Sequence, residues 1–230
     1  MKNICILGAG GSAINIIKEI AKIINIEKIL RNIKESTNIK YGLISSSLED
    51  IHRAQDYGLD ILINEQVSSN KDAYKPVMNR KITRKIEYLA IGEKTCNGLS
   101  AFASTEIAEK AFYESEKNID GFLKQLLENV DLVIFVACFG GGNGTGLAPL
   151  LLQKVSDMKI KNISIIGKPF NFEGEKRLET FNQGIEKLKN ITDKIVIIDS
   201  EPKEKSIIQI FKKRDLEFAK KVEEIIKNNI

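Results

Sequence analysis

A chain of 230 residues, 43% hydrophobic and 29% charged with only 4 prolines, can bury one sizeable core, which excludes a disulfide-stapled miniprotein and the disordered and fibrous classes. Its 35 Lys and Arg against 31 Asp and Glu leave a net charge of +4, spread without a dense basic block, so no nucleic-acid partner is expected. The opening MKNICILGAGG reaches glycine too soon for a signal-peptide apolar region, and the longest apolar run, Leu132 to Phe139, falls far short of a membrane span; a cytoplasmic protein with no membrane partner is expected.

Short, branched-rich apolar runs alternate with longer segments of helical period, the pattern of an α/β domain with a mostly parallel sheet. Strands are predicted near Ile4 to Leu7, Tyr41 to Ser45, Tyr88 to Ile91, Leu132 to Cys138, Ile163 to Gly167 and Ile195 to Ile198. The polar stretch from Asn64 to Arg84, with Pro76, is expected to be a long surface loop or insertion. Ile107, Ala111, Ile119, Phe122, Leu126 and Val130 mark one apolar helical stripe, and Leu178, Phe181, Ile185 and Leu188 another. A last helix spans roughly Ser206 to Asn229, with Phe211, Phe218, Val222 and Ile225 on its stripe. Cys5, Cys96 and Cys138 are odd in number, far apart and in no CxxC spacing, so neither a disulfide framework nor a zinc site is expected. The single histidine, His52, lies in polar EDIHRAQ and is expected at the surface, which leaves a His-based triad without support.

Ligands of open parallel sheets sit outside the carboxyl ends of the strands, and two glycine-rich loops fall there. The first strand ends in GAGGSA, Gly8 to Ala13, and runs directly into a helix, so backbone N–H groups can close on a phosphate. Alone this reads as a GxGxxA dinucleotide fingerprint, but the acidic residue that would hold a ribose is missing, because the second strand ends in Ser45, Ser46 and Ser47. The fourth strand ends in FGGGNGTGLAP, Phe139 to Pro149. Five glycines there, Gly140, Gly141, Gly142, Gly144 and Gly146, fall within seven positions, far more than a plain turn needs. Such a loop can form a nest of N–H donors for a di- or triphosphate, with Thr145 adding a hydroxyl. It is not a Walker loop, since GxxxxGK[ST] does not occur. An oxidoreductase reading based on GAGGSA leaves this second loop unexplained.

At these residues the chain resembles the nucleotide-binding domain of the tubulin and FtsZ superfamily, on the FtsZ side. GGGNGTG is similar to the family signature GGGTGTG, with Asn143 in place of Thr, and GKPFNFEGEKR, Gly167 to Arg177, resembles the family's TKPFxFEGxxR. Thr105 to Asp131 looks like the long helix that enters the signature strand. The resemblance implies a three-layer α/β fold, a mostly parallel six-stranded Rossmann-like sheet ending in a long C-terminal helix. Residues 1–230 are expected to form one nucleotide-binding domain, with no second domain. The implied ligand is GTP or GDP, with Mg2+ accompanying GTP. Phosphate contacts are implied for Gly8, Gly10, Gly11, Ser12, Gly140, Gly141, Gly142, Asn143, Gly144, Thr145 and Gly146. Glu173 and Arg177, which as i and i+4 residues on one helix can share a face, are implied at the ribose, and Ser200 and Asp215 at the base. Asp215 falls on the apolar stripe, where a carboxylate needs a donor to meet; guanine offers an N–H and an amino group side by side.

Departures from the family sharpen the expectation. The first loop is shorter than the family's, with Ser12 at the position of a nucleotide-contacting Asn. Ser45 to Ser47 replace NTD, GLSAFAST (Gly98 to Thr105) replaces GLGAGGNP beside the γ-phosphate, and Ser200 replaces an Asn. The catalytic loop and second domain that follow this helix in the family are expected to be absent. Expected, then, is a guanine-nucleotide-binding protein linked to cell-division or cytoskeletal filaments. Its hydrolysis should be slow or dependent on a partner subunit, either a full-length FtsZ-like filament subunit or a second copy, and it would cap or modulate a polymer. The other reading is a nucleotide-independent scaffold or regulatory binding module that keeps the fold.

Overall fold

The first branched run forms β1 (Asn3–Ala9), whose period of two sends Ile4 and Ile6 to one face and Cys5 and Leu7 to the other, all fully buried. A strand buried on both faces belongs in the middle of a parallel sheet with helices on each side. This computed structural model describes residues 2–29, 33, 37–56, 61–64, 79–82, 86–200 and 206–229. In chain order the described elements are β1, α1 (Gly11–Ile29), β2 (Asn38–Ser45), α2 (Leu48–Asp56), β3 (Ile61–Asn64), β4 (Asn79–Ile82), β5 (Ile86–Ala90), the short α3 (Glu93–Cys96), α4 (Thr105–Glu114) and α5 (Glu116–Leu126). There follow β6 (Leu132–Cys138), α6 (Gly142–Asp157), β7 (Lys161–Gly167), a 3-10 turn at Asn171–Glu173, α7 (Glu175–Leu188), β8 (Lys194–Ile198) and α8 (Ile207–Asn229).

Six strands form one sheet in the order β5-β2-β1-β6-β7-β8, every neighbouring pair parallel. One face carries a core built with α1 and α8, where Ile14, Ile17 and Ile20 meet Phe218, Val222 and Ile226. The opposite core takes Phe112, Leu123, Leu151 and Phe181 from α4, α5, α6 and α7. The result is the expected three-layer α/β architecture ending in a long helix. Chain order reverses between β1, whose crossover leads to β2, and β6 on its other side. The crevice at their carboxyl ends is therefore the topological switch point, and both glycine-rich loops open into it.

Three local expectations change. The stretch from Thr105 to Asp131 is two helices, because Ser115 (φ −104, ψ 11) leaves helical geometry; its buried Oγ accepts the Gly92 N–H at 2.8 Å, a tertiary bond that a continuous helix would forgo. The third sheet strand begins earlier, at Ile86. Within the anticipated loop of 64–84, β4 pairs antiparallel with β3, Ile61 opposite Ile82, while residues 65–78 lie outside the described residues. His52 is exposed, as its polar setting suggests. Among the described residues no helix is long and apolar enough to cross a membrane.

Candidate functional site

The two glycine loops touch. Gly10 takes a left-handed φ of +76 that lets its N–H reach Ile44 O at 3.0 Å, and a Cβ there would meet Asn143 Cβ at 3.1 Å. Gly140, at φ +99, turns the chain from β6 toward α6 under Pro169, and its N–H donates to Thr145 Oγ1 at 2.9 Å. The Thr145 hydroxyl oxygen thus helps to close the loop. Gly8, Gly144 and Gly146 serve close packing: added Cβ atoms would meet Ala13 Cβ at 2.7 Å, Cys138 O at 2.4 Å and Thr105 O at 2.8 Å.

What remains open is a cavity of about 460 Å3. Gly10, Gly11, Ser12 and the span from Gly141 to Gly144 form its floor, and its sides include Asp50, Glu173 and Arg177. The floor carries the N-terminus of the 16-residue α6, whose first turn has no acidic residue and whose leading N–H groups have no intrahelical acceptor. Such an end favours anions through both its donors and its dipole. Gly141 sits in extended backbone at the N-cap, and an added Cβ would meet nothing within 4 Å, so its face looks onto open space. Gly8, Gly140, Thr145 and Gly146 shape this floor without lining it.

Glu173 and Arg177 do not share a helix, because Gly174 (φ +97) separates the 3-10 turn from α7. They still pair, Arg177 Nη1 to Glu173 Oε2 at 3.2 Å, while Glu173 Oε1 accepts the Phe170 N–H at 3.0 Å. Both border the cavity.

Asn143, the departure from the signature, is buried and hydrogen-bonded to the serines that end β2. Ser46 Oγ reaches its Oδ1 at 3.0 Å, and its Nδ2 donates to Ser45 Oγ at 3.3 Å. Ser45 Oγ in turn donates to Asp50 Oδ2 at 2.8 Å. Burial pushes the Asp50 carboxyl above its ordinary value, against the pull of the Ser45 hydroxyl and Arg53. Sequence reading missed Asp50; its place in the first turn of α2, just beyond the serines, was the available signal.

A second cavity of about 400 Å3 adjoins the first, sharing Ser12, Phe211 and Arg214. Its wall includes Asp215, 6% exposed, whose Oδ1 has no hydrogen-bond partner among the described residues. Burial raises the Asp215 carboxyl to about 6, the neighbouring Arg214 guanidinium opposes that rise, and Glu19 adds to it. Arg214, also missed from sequence, is buried with its Nε unpartnered. Ser200 borders neither cavity; its hydroxyl is hydrogen-bonded to Glu217 Oε2. The structure therefore brings together Gly10, Gly11, Ser12, Gly141 to Gly144, Glu173, Arg177 and Asp215, and leaves Ser200 apart. Among the described residues no group of three or more His, Cys, Asp or Glu is arranged to hold a metal ion unaided.

Among curated proteins, the cell division protein FtsZ of Aquifex aeolicus is 36% identical over 121 residues, 53% of this chain and 31% of its own length. FtsZ of Rickettsia felis is 30% identical over 145 residues, 60% of this chain and 31% of its own. The matched segment spans about 30% of these relatives' length. An empty FtsZ dimer from M. jannaschii superposes with a TM-score of 0.71 at 22% identity, covering 99% of this chain and 55% of that one. A GDP-bound CetZ1 monomer from Haloferax volcanii gives 0.74 at 14% identity, covering 99% and 61%. At such identities these two structures speak for the fold. The profile of the Tubulin/FtsZ family GTPase domain matches residues 3–205, and the chain belongs to that family.

Proposed function

We propose that this chain binds GTP or GDP in the cytoplasm as an FtsZ-like nucleotide domain that works with cell-division or cytoskeletal filaments, and that its GTP hydrolysis is slow or depends on a partner subunit. The observation that carries the reading is the juxtaposition of two adjoining cavities. One has the N-terminus of α6 as its floor; the other holds a buried carboxylate with an unpartnered oxygen. A nucleoside di- or triphosphate matches both, since its phosphates suit the helix end and a guanine offers two adjacent donors to Asp215. GDP in the CetZ1 structure and GTPγS in a CetZ2 protofilament support the ligand class, that protofilament supports the filament setting, and the name cell division protein FtsZ supports the cell-division one.

Each group then has a task. The N–H groups from Gly141 onward cradle the phosphates, and Gly10 and Gly11 let them approach β1. Arg177 and Glu173 hold the ribose rim. Mg2+ accompanying GTP would be held by Asp50, the carboxylate standing beside Gly11 and the serines; when bound it neutralises phosphate charge. Orienting a hydrolytic water needs a free acceptor on the γ-phosphate side. Glu173 is tied to Arg177 and Phe170, and Asp50 is the group assigned to the cation, so neither carboxylate of this cavity is left for that role. A partner subunit, a full-length FtsZ-like protein or a second copy, would supply it.

Calorimetric titration with GDP, GTP and ATP, followed by GTP turnover alone and with a full-length homologue, tests the proposal. Guanine nucleotides should bind in preference to ATP, and turnover should rise only in the mixture. Brisk turnover by the chain alone at low concentration sinks the partner-dependent reading. No binding by any of the three points instead to a nucleotide-independent scaffold.

A further inference from the structure

Arg214 stands in the wall shared by the two cavities. Its side chain is 8% exposed and is held over the rings of Phe170 and Phe211, at 5.4 and 4.9 Å from their centroids. Its Nη2 lies 3.8 Å from Asp215 Oδ1, too far for a good hydrogen bond, and both Arg214 Nε and Asp215 Oδ1 lack partners among the described residues. Two buried charges held side by side with unsatisfied atoms on each are unfavourable unless something completes them.

We propose that Arg214 reads the base: its guanidinium donates to the 6-oxo group of a guanine whose N1–H and 2-amino group are accepted by Asp215. The assignment rests on the guanine-nucleotide reading above and deepens it. Along its Watson–Crick edge guanine presents an acceptor, then two donors. A guanidinium beside a carboxylate offers the complement, a donor followed by two acceptors. Adenine reverses the first two positions, setting its 6-amino group against the guanidinium and its N1 lone pair against the carboxylate. The pair therefore attracts one purine and repels the other, which is how specificity is built. The Phe170 and Phe211 rings that flank the guanidinium restrict it, so little freedom is lost when the base arrives.

The test is titration of the unaltered chain and of Arg214→Met with GDP, 6-thio-GDP and ADP. Sulfur at position 6 is a poor acceptor, so the unaltered chain should prefer GDP to 6-thio-GDP by roughly tenfold. Arg214→Met should lose about tenfold or more for GDP, with its GDP to 6-thio-GDP ratio falling toward about one and ADP little changed. An equal loss for all three ligands with the ratio preserved would make Arg214 a phosphate-binding or purely structural group and overturn the assignment. If the Met variant does not fold, the unaltered chain decides: a GDP to 6-thio-GDP ratio near one overturns it. No GDP binding by the unaltered chain defeats the guanine-nucleotide reading itself; GDP binding without the ratio defeats only the role of Arg214.

Discussion

If Asp215 meets the base as proposed, it links nucleotide binding to stability in a direction that can be worked out beforehand. Burial raises its carboxyl from 3.8 to about 6, which disfavours the ionised form in the folded chain by about 3 kcal/mol. The sign follows from proton counting. Between about pH 4 and pH 6 the folded chain holds a proton at this site that the unfolded chain has lost, so this group lowers stability as pH rises through that window. At about pH 7 the full cost is present. Asp215→Asn removes the charge but leaves an amide at the same buried position, which gives back about 1–2 kcal/mol. The nucleotide-free variant should therefore be more stable than the unaltered chain by about 1–2 kcal/mol near pH 7, roughly 3–6 °C in Tm. The gap should close or reverse near pH 4.5, where the folded Asp215 is protonated and only about 1 kcal/mol of the cost remains against the amide's own desolvation. Saturating GDP should reverse the order near pH 7, because the ionised carboxylate then has donors to meet, and GDP affinity of the unaltered chain should climb as pH rises through about 6. Differential scanning calorimetry at several pH values, with and without GDP, reads all of this. Parallel Tm profiles for the two nucleotide-free chains would refute the reasoning.

Adjacent glycines should separate binding from folding. Gly141→Ala adds a Cβ to open space at a φ of −105, so stability should hold within about 0.5 kcal/mol while GDP affinity falls; Gly142→Ala drives a Cβ to 2.7 Å from Ser104 O and 2.9 Å from Ala101 Cβ, and should cost about 1–3 kcal/mol in a denaturant melt. Asn143→Thr restores the residue of the family signature yet cannot bridge Ser45 and Ser46 as the amide does, and should lower stability by about 1–3 kcal/mol in the same melt. Asp50→Asn should weaken the Mg2+ dependence of GTP affinity, measured by titrating with and without Mg2+, while leaving GDP affinity in chelator nearly unchanged.

Parallel strands buried on both faces announce themselves as continuous apolar runs, so the six-stranded sheet and its layers were legible from Ile4 to Ile198. The loops were legible because glycine is a costly residue with few reasons to cluster. Which glycines face the ligand was not legible. Gly141 and Gly144 line a cavity, whereas Gly146, in the same run, presses against Thr105 and Ala108 of α4. That distinction depends on what stands opposite, and sequence carries no opposite. The break at Ser115 was hidden for the same reason, since its hydroxyl answers Gly92, 23 residues earlier. Arg214 escaped the stripe argument because adjacent residues on a helix point about 100° apart, and only the second cavity brings it beside Asp215.

The departures from the family motifs illustrate the limit most clearly. Read one at a time, Ser45, Ser46 and Asn143 look like losses at a nucleotide site. In space they are one another's partners, 97 and 98 residues apart in sequence, and the chain of bonds ends on Asp50 beside the phosphate cavity. Buried polar groups that complete one another rigidify the elements they join, here the end of β2, the start of α2 and the first turn of α6. A substitution at any single position would strand the rest, because a buried donor or acceptor without its partner carries a desolvation cost of about 1–3 kcal/mol. The three residues therefore have to change together, and their joint presence holds the end of β2 and the first turn of α6 in register.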